Sequence, residues 1–147
     1  MQKKSILPLI RELVRCYQAF ESLSARHIRT LDLTPPQFDI VATLGNTDGM
    51  SFKQLGEKTL ITKGTLTGVV DRLALKRLVC RVASPTDGRS QIVRLTRKGE
   101  TLFANIFPAH VGHLQRVCEK LGTEDLRQTE IALRNLRDAF EQVLEEA

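Results

Sequence analysis

The reading turns on Leu60 to Gly99, LITKGTLTGVVDRLALKRLVCRVASPTDGRSQIVRLTRKG. Leu66, Val69, Val70 and Leu73 recur at three- and four-residue steps, which predicts an amphipathic helix from Thr62 to about Arg77. It runs directly into Leu78-Val79-Cys80-Arg81-Val82, a first strand. The loop Ser84-Pro85-Thr86-Asp87-Gly88-Arg89 follows, with Asp87-Gly88 read as a tight turn, and then a return strand, Gln91 to Leu95. A helix that abuts a two-stranded ribbon with an arginine at its tip is the plan of a winged helix-turn-helix. Such a unit offers its helix to a DNA major groove and its hairpin to the neighbouring minor groove.

Outward from that stretch, the short helix Phe52 to Thr59 is expected after a Ser51 cap, with Leu55 inward and Gly56 at a close helix crossing. Upstream, Thr34-Pro35-Pro36-Gln37 reads as a helix start: Thr34 the N-cap, Pro35 in the first turn, Gln37 completing a capping box. Phe38, Val41 and Leu44 continue that helix, and Asn46 to Gly49 ends it. Ile6, Ile10, Leu13, Val14, Tyr17, Phe20 and Leu23 stripe a long first helix running to about Thr30. Downstream, Thr96 caps a fifth helix that Pro108 should kink or distort, and Gly122-Thr123 separates it from a last one. The last carries Leu133, Leu136, Phe140 and Val143 at alternating steps of three and four, a pattern suited to packing on another helix.

The expected fold class is mainly α with a small β-hairpin, a winged helix-turn-helix at about 34–99. Flanking helices at about 5–30 and 100–145 carry more apolar stripe than one small domain covers, so they are expected to form a dimer interface. All 147 residues are read as a single domain.

Composition agrees with a folded chain: 41% of residues are hydrophobic and 27% charged. The net charge of +5 is concentrated, since residues 51–100 hold eleven basic and four acidic side chains, +7, leaving −2 elsewhere. A positive field located on the proposed groove-binding module is what phosphate recognition needs. No apolar run approaches the roughly 20 residues of a membrane span. The basic start, Met1 to Ile6, meets Pro8, Arg11 and Glu12 without an apolar core, so a cytoplasmic protein is expected. Cys16, Cys80 and Cys118 are odd in number and far apart, which makes neither a disulfide framework nor a zinc ribbon.

On the central helix the arc opposite the apolar one carries Gly64, Thr65, Gly68, Asp71, Arg72 and Leu75, with Lys63 and Thr67 at its edges. Each exposed glycine costs about 1 kcal/mol relative to alanine inside a helix, and the proposed return is close approach of backbone to the groove floor. Gly64, in the first turn, costs less. Arg72 suits guanine or a phosphate; Thr65 and Thr67 suit a phosphate or a thymine methyl. Thr62, as the cap, and Lys63 sit at the helix N-terminus, where backbone N–H groups favour a phosphate. Lys76 adds a cation at the far end, and Asp71 is expected to pair with a neighbouring arginine. At the wing tip Arg89 is directed at the minor groove, oriented by Asp87.

These residues resemble the MarR family of bacterial transcriptional regulators. The resemblance rests on Leu33-Thr34-x-x-Gln37-Phe38, Leu55-Gly56, Thr65-Leu66-Thr67 and Asp71-Arg72-Leu73. It continues through Arg81-x-x-Ser84-Pro85-x-Asp87-Gly88-Arg89-Ser90 and closes with Leu95-Thr96-x-x-Gly99. It implies a homodimer with two winged lobes, a palindromic operator in double-stranded DNA, usually repression, and release by a small, often aromatic or phenolic, effector. Gly88 departs from the family, many of whose members carry another arginine there.

Three switches were weighed against the residues. Tyr17, Phe20, Phe38 and Phe103 are candidates to line an effector pocket, and each is equally at home in a plain core. Cys16, beside the only tyrosine, is a candidate redox centre because one branch of the family senses peroxides through a first-helix cysteine; that is the alternative reading of the regulator. His110-x-x-His113, with His27, is too sparse for a metal site, and no metal and no cofactor are expected. An enzyme is excluded on inventory: there is no Gly-x-Ser-x-Gly, Walker loop or dinucleotide fingerprint. A winged helix serving as a protein-interaction module is the other alternative, and retention of positive charge on the recognition face counts against it.

Overall fold

Two reciprocal caps set the first turns of the central region. Thr34 Oγ1 accepts from the Gln37 N–H at 3.3 Å, and Gln37 Oε1 accepts from the Thr34 N–H at 3.2 Å. Ser51 and Gln54 repeat the device at 3.1 and 3.0 Å. Each box satisfies N–H groups that a helix start otherwise leaves unpaired. In the computed structural model, which describes residues 4–147, the order is α1 (Leu7–Thr30), α2 (Pro35–Leu44), β1 (Met50–Ser51), α3 (Phe52–Lys58) and α4 (Lys63–Leu75). Then come β2 (Val79–Ala83), β3 (Gln91–Leu95), α5 (Arg97–Leu114), a 3-10 turn at Gln115–Val117 and α6 (Thr123–Glu146). Met1 to Lys3, part of the basic start, lie outside the described residues.

Two compact units emerge, one ending at Val111 and one from Gly112 to Ala147. In the first, the core gathers Ile40, Val41 and Leu44 of α2, Leu55 of α3, Leu66, Val69, Val70 and Leu73 of α4, and Val79 and Val93 of the sheet, all buried. The apolar arc read for the central helix is the arc that meets this core.

The sheet has three strands rather than the two of a bare hairpin. β2 pairs antiparallel with β3 in the register Val79↔Leu95 to Ala83↔Gln91, and β1 adds to the other edge of β3 through Met50↔Val93 and Ser51↔Ile92. Two residues are too few for alternation to announce a strand. Their pairing is fixed by β3, which covers its otherwise open edge.

The α4 terminus is a Schellman ending: the Arg77 N–H reaches Ala74 O at 2.9 Å and the Leu78 N–H reaches Leu73 O at 3.0 Å. Arg77 occupies the left-handed position, φ +61°, where glycine is the favoured residue. Helix α4 therefore stops short of the predicted Arg77, which redirects the chain into β2. Thr96 caps α5 as expected, accepting from the Gly99 N–H at 3.1 Å while donating to Arg77 O at 2.6 Å. A Cβ at Gly99 would lie 2.0 Å from Leu78 O, so this first turn is pressed directly onto the chain entering β2.

Two expectations are corrected. Gly56 is not at a tight crossing, because a Cβ there would meet only Leu66 Cδ2 at 3.9 Å, an ordinary contact. Helix α5 continues through Pro108, and the departure from α-helical geometry comes at Gln115–Val117 instead.

A polar staple joins α1 to α5 inside the first unit. His110 is 4% exposed. Its Nε2 lies 3.1 Å from Ser24 Oγ and its Nδ1 lies 2.9 Å from His27 Nδ1, with the Phe38 ring 4.5 Å away between centroids. Both ring nitrogens thus have partners, as a buried imidazole requires.

Candidate nucleic-acid interface

Helix α4 presents two unlike faces. Opposite the buried arc, Gly64, Thr65, Thr67, Gly68, Asp71 and Arg72 are all exposed, and Lys63 stands exposed at the first turn. A Cβ added at Gly64 or Gly68 would meet nothing within 4 Å. No packing inside the chain requires glycine at either position, so the bare backbone there serves something outside it. Leu75 lies on the same arc and is 84% exposed. It is a further apolar group available to a groove.

Thr62 occupies the N-cap position but does not cap with its side chain. Its hydroxyl donates to Thr65 Oγ1 at 3.0 Å, so the first N–H groups of α4 are not met by the Thr62 side chain. That arrangement suits an anion better than a closed cap does. Asp39 of α2 holds the preceding turn, accepting from the Leu60 N–H at 3.3 Å. Its pKa is raised because burial disfavours the carboxylate, while the Leu60 bond and the Thr43 hydroxyl oppose the shift.

The wing is fixed to the helix by Arg81. Its guanidinium pairs with Asp71 of α4 and lies over the Phe52 ring of α3, 5.3 Å from the centroid. One side chain on β2 therefore ties three elements together. The acid that would repel DNA is paired, as its place on the arc led us to expect. Sequence reasoning did not assign Arg81 this part; the one available signal was a basic residue on the strand adjoining the helix that bears Asp71.

At the wing tip Asp87 acts on backbone and hydroxyl, not on a guanidinium. Its Oδ1 accepts from the Arg89 N–H at 3.1 Å and its Oδ2 from the Ser90 hydroxyl at 3.0 Å. Ser84 Oγ accepts from the Asp87 N–H at 3.3 Å, and the Ser84 N–H closes the loop onto Ser90 O at 2.9 Å. The carboxylate thus shapes the loop that carries Arg89, which is exposed. Gly88 is outside the left-handed region and its Cβ position is open.

Lys76 belongs elsewhere. Its ammonium turns to the α1–α2 connection, donating to Asp32 O at 3.2 Å and Gln37 Oε1 at 3.3 Å. The four aromatics read as a possible effector pocket occupy separate settings. Phe38 is in the core against His110, and Tyr17 and Phe20 are exposed on α1. Phe103 lies 5.0 Å from Phe107 between ring centroids and packs where any Cβ at Gly45 would collide with it. A shallow cavity of about 490 Å³ touches Phe103 and Phe107 but none of the other three.

Cys16 is exposed. The neighbouring Tyr17 phenol is held neutral, its pKa raised by local desolvation and then by the charges of Glu21 and Asp39, with Glu21 also hydrogen-bonded to it. A neutral phenol committed to Glu21 is poorly placed to activate a thiol. His27 does reach His110, yet among the described residues no three His, Cys, Asp or Glu side chains gather as a metal site.

The geometry has relatives. Residues 31–90 match the sequence model of the MarR family. The chain is 34% identical over 126 residues to the HTH-type transcriptional regulator MhqR of Bacillus subtilis, covering 86% of each protein. Among solved structures it is similar to BpsR of Bordetella bronchiseptica, at TM-score 0.75 and 25% identity over 94% of this chain and 96% of that one. That structure is described as a mechanism for regulation of DNA binding by 6-hydroxynicotinic acid. A MarR mutant from E. coli complexed with operator DNA shares the fold at TM-score 0.79, with 24% identity over 89% and 94%. The winged helix-turn-helix, the order of its elements and the extent of the match to MhqR lead to one conclusion: this chain belongs to the MarR family of transcriptional regulators.

Proposed function

We propose that the chain is a sequence-specific repressor that binds double-stranded DNA as a homodimer. Helix α4 enters the major groove with Thr65, Thr67 and Arg72 towards base edges and phosphates. Thr62 and Lys63 hold a phosphate at its N-terminus, and Arg89 enters the adjacent minor groove. The observation that carries this reading is the arc of α4 on which two glycines with open Cβ positions stand between hydroxyls and cations.

A second copy is the occupant of the apolar faces at both ends of the chain. Ile6, Val14 and Phe20 on or beside α1, and Leu133, Phe140 and Val143 on α6, are exposed. Two-fold pairing of lobes implies a palindromic operator with half-sites about one helical turn apart. Release by a small aromatic effector is supported by the regulation of BpsR by 6-hydroxynicotinic acid.

The test is a titration of fluorescent duplex DNA from the region upstream of the protein's own coding sequence, repeated across salt concentrations. Tight binding that weakens steeply with salt, and a lower affinity for random duplex, are expected. Absence of binding at low salt, or affinity indifferent to salt, would favour the protein-interaction alternative. Reversible loss of binding on peroxide treatment that Cys16→Ser prevents would instead establish the redox alternative.

A further inference from the structure

Behind the recognition helix, on the side away from its exposed arc, lies a cavity of about 850 Å³ that the DNA-binding surface does not use. Three chain segments meet there: the α1–α2 connection, the residues that follow α4, and the first turns of α5. Leu33, Leu78 and Leu102 supply apolar wall, while Lys76, Arg97 and Lys98 bring three cations to it against the single carboxylate of Asp32. The two ammonium groups donate to neutral oxygens: Lys76 to Asp32 O and Gln37 Oε1, Lys98 to Lys76 O at 3.0 Å. An ammonium has three donors, so these bonds leave capacity and charge for an anion.

We propose that this cavity is a binding site for a small organic carboxylate with a ring-sized apolar body. The leucines favour the hydrocarbon part, and the cations favour one negative charge at its end. An inorganic anion would leave the apolar wall wetted, and a neutral ring would leave the cations without a partner.

Occupancy has a consequence at α4. Lys76 is the C-cap residue of that helix, and its carbonyl is the acceptor for Lys98. The carbonyl of Arg77, the left-handed residue next to it, is held by Thr96. A carboxylate that draws Lys76 and Lys98 towards itself therefore competes with the bonds that tie the end of α4 to the α1–α2 connection and to α5. The same binding event re-aims the helix and lowers DNA affinity. This second step rests on the DNA-binding reading above, whereas the site itself does not.

The experiment uses the full chain, 15N-labelled, titrated with 2-naphthoate and in parallel with its neutral isostere 2-naphthamide. Naphthoate is expected to shift the amides of Leu31 to Leu33, Leu78 and Thr101 to Asn105 saturably, and naphthamide to bind at least tenfold more weakly. Arg97→Gln with Lys98→Gln should weaken naphthoate at least tenfold while the remaining spectrum stays folded. Equal binding of the two probes, shifts centred on Tyr17, Phe20, Phe38 or Phe103, or an unaffected double variant would overturn the site. Duplex binding measured with and without saturating naphthoate then tests the coupling: a fall of fivefold or more is expected, and unchanged affinity overturns that step. A protein that binds naphthoate in the cavity but never binds DNA would remove the functional reading and leave the site standing.

Discussion

Asp39 bonds to the turn that precedes the recognition helix, and its ionisation therefore carries a stability signature. Burial raises its folded pKa above the ordinary 3.8, so the folded state holds this proton more tightly than the unfolded chain does. The associated stability is fully present below the unfolded value and is lost as pH rises through the folded one. At neutral pH the charged carboxylate is a net burden, partly offset by the Leu60 N–H and the Thr43 hydroxyl. Asp39→Asn keeps an oxygen for the Leu60 N–H and removes the charge. It should raise Tm by about 1–2 °C at pH 7, with the gain shrinking towards pH 4; thermal melts of both proteins across that range check it, and a gain independent of pH would point away from burial. At the wing, Arg89→Ala should weaken duplex binding by about tenfold or more without altering Tm, because the loop is held by Asp87, Ser84 and Ser90 and not by the guanidinium. Unchanged affinity in the same titration would remove the wing from the interface.

Helix α4 offers a test in which stability and binding move in opposite directions. Gly68 sits mid-helix with its Cβ position open, so Gly68→Ala should stabilise the fold by about 1 kcal/mol in chemical denaturation. If the bare backbone is there for a groove floor, the same variant loses duplex affinity, by about tenfold for one obstructing methyl group. A more stable variant that binds equally well would show that the glycine is merely tolerated. How much of this was legible in the chain depends on where the determinants lie. The capping box at Thr34 and Gln37, the buried arc of α4 and the β2–β3 hairpin were readable because local spacing determines them. β1 was not, since two residues carry no period and β3 alone gives them a partner. Nor were the Thr62 hydroxyl turning to Thr65, Lys76 turning to Asp32 and Gln37, or Arg81 bridging Asp71 and Phe52. Each is a choice among partners brought close only by the tertiary fold, with energies near those of alternatives in water.

At the scale of the molecule, the decisive quantity is apolar surface left at solvent. In α6 no residue is buried, and Leu133, Val143 and Leu144 are 51%, 64% and 74% exposed. Such a row on a 24-residue helix forfeits about 25 cal/mol for every Å² of hydrocarbon that stays wet, which covering by another helix recovers. A second copy is the proposed cover, and it also supplies the second lobe. Each lobe alone has a small phosphate-binding surface; joined at fixed spacing, the second engages at a high effective concentration once the first is bound. Leu133→Glu with Val143→Glu should therefore convert a species of twice the 16.5 kDa chain mass into a monomer in light scattering. Because neither substitution is on α4 or the wing, binding to a single half-site should persist at low salt, while affinity for the full palindrome falls by about a hundredfold. A wild-type protein that is already monomeric at micromolar concentration, or a charged double variant that stays dimeric, would break the link between the terminal helices and the operator. An isolated lobe that binds the palindrome as tightly as the intact protein would break it equally, by showing that one recognition helix suffices.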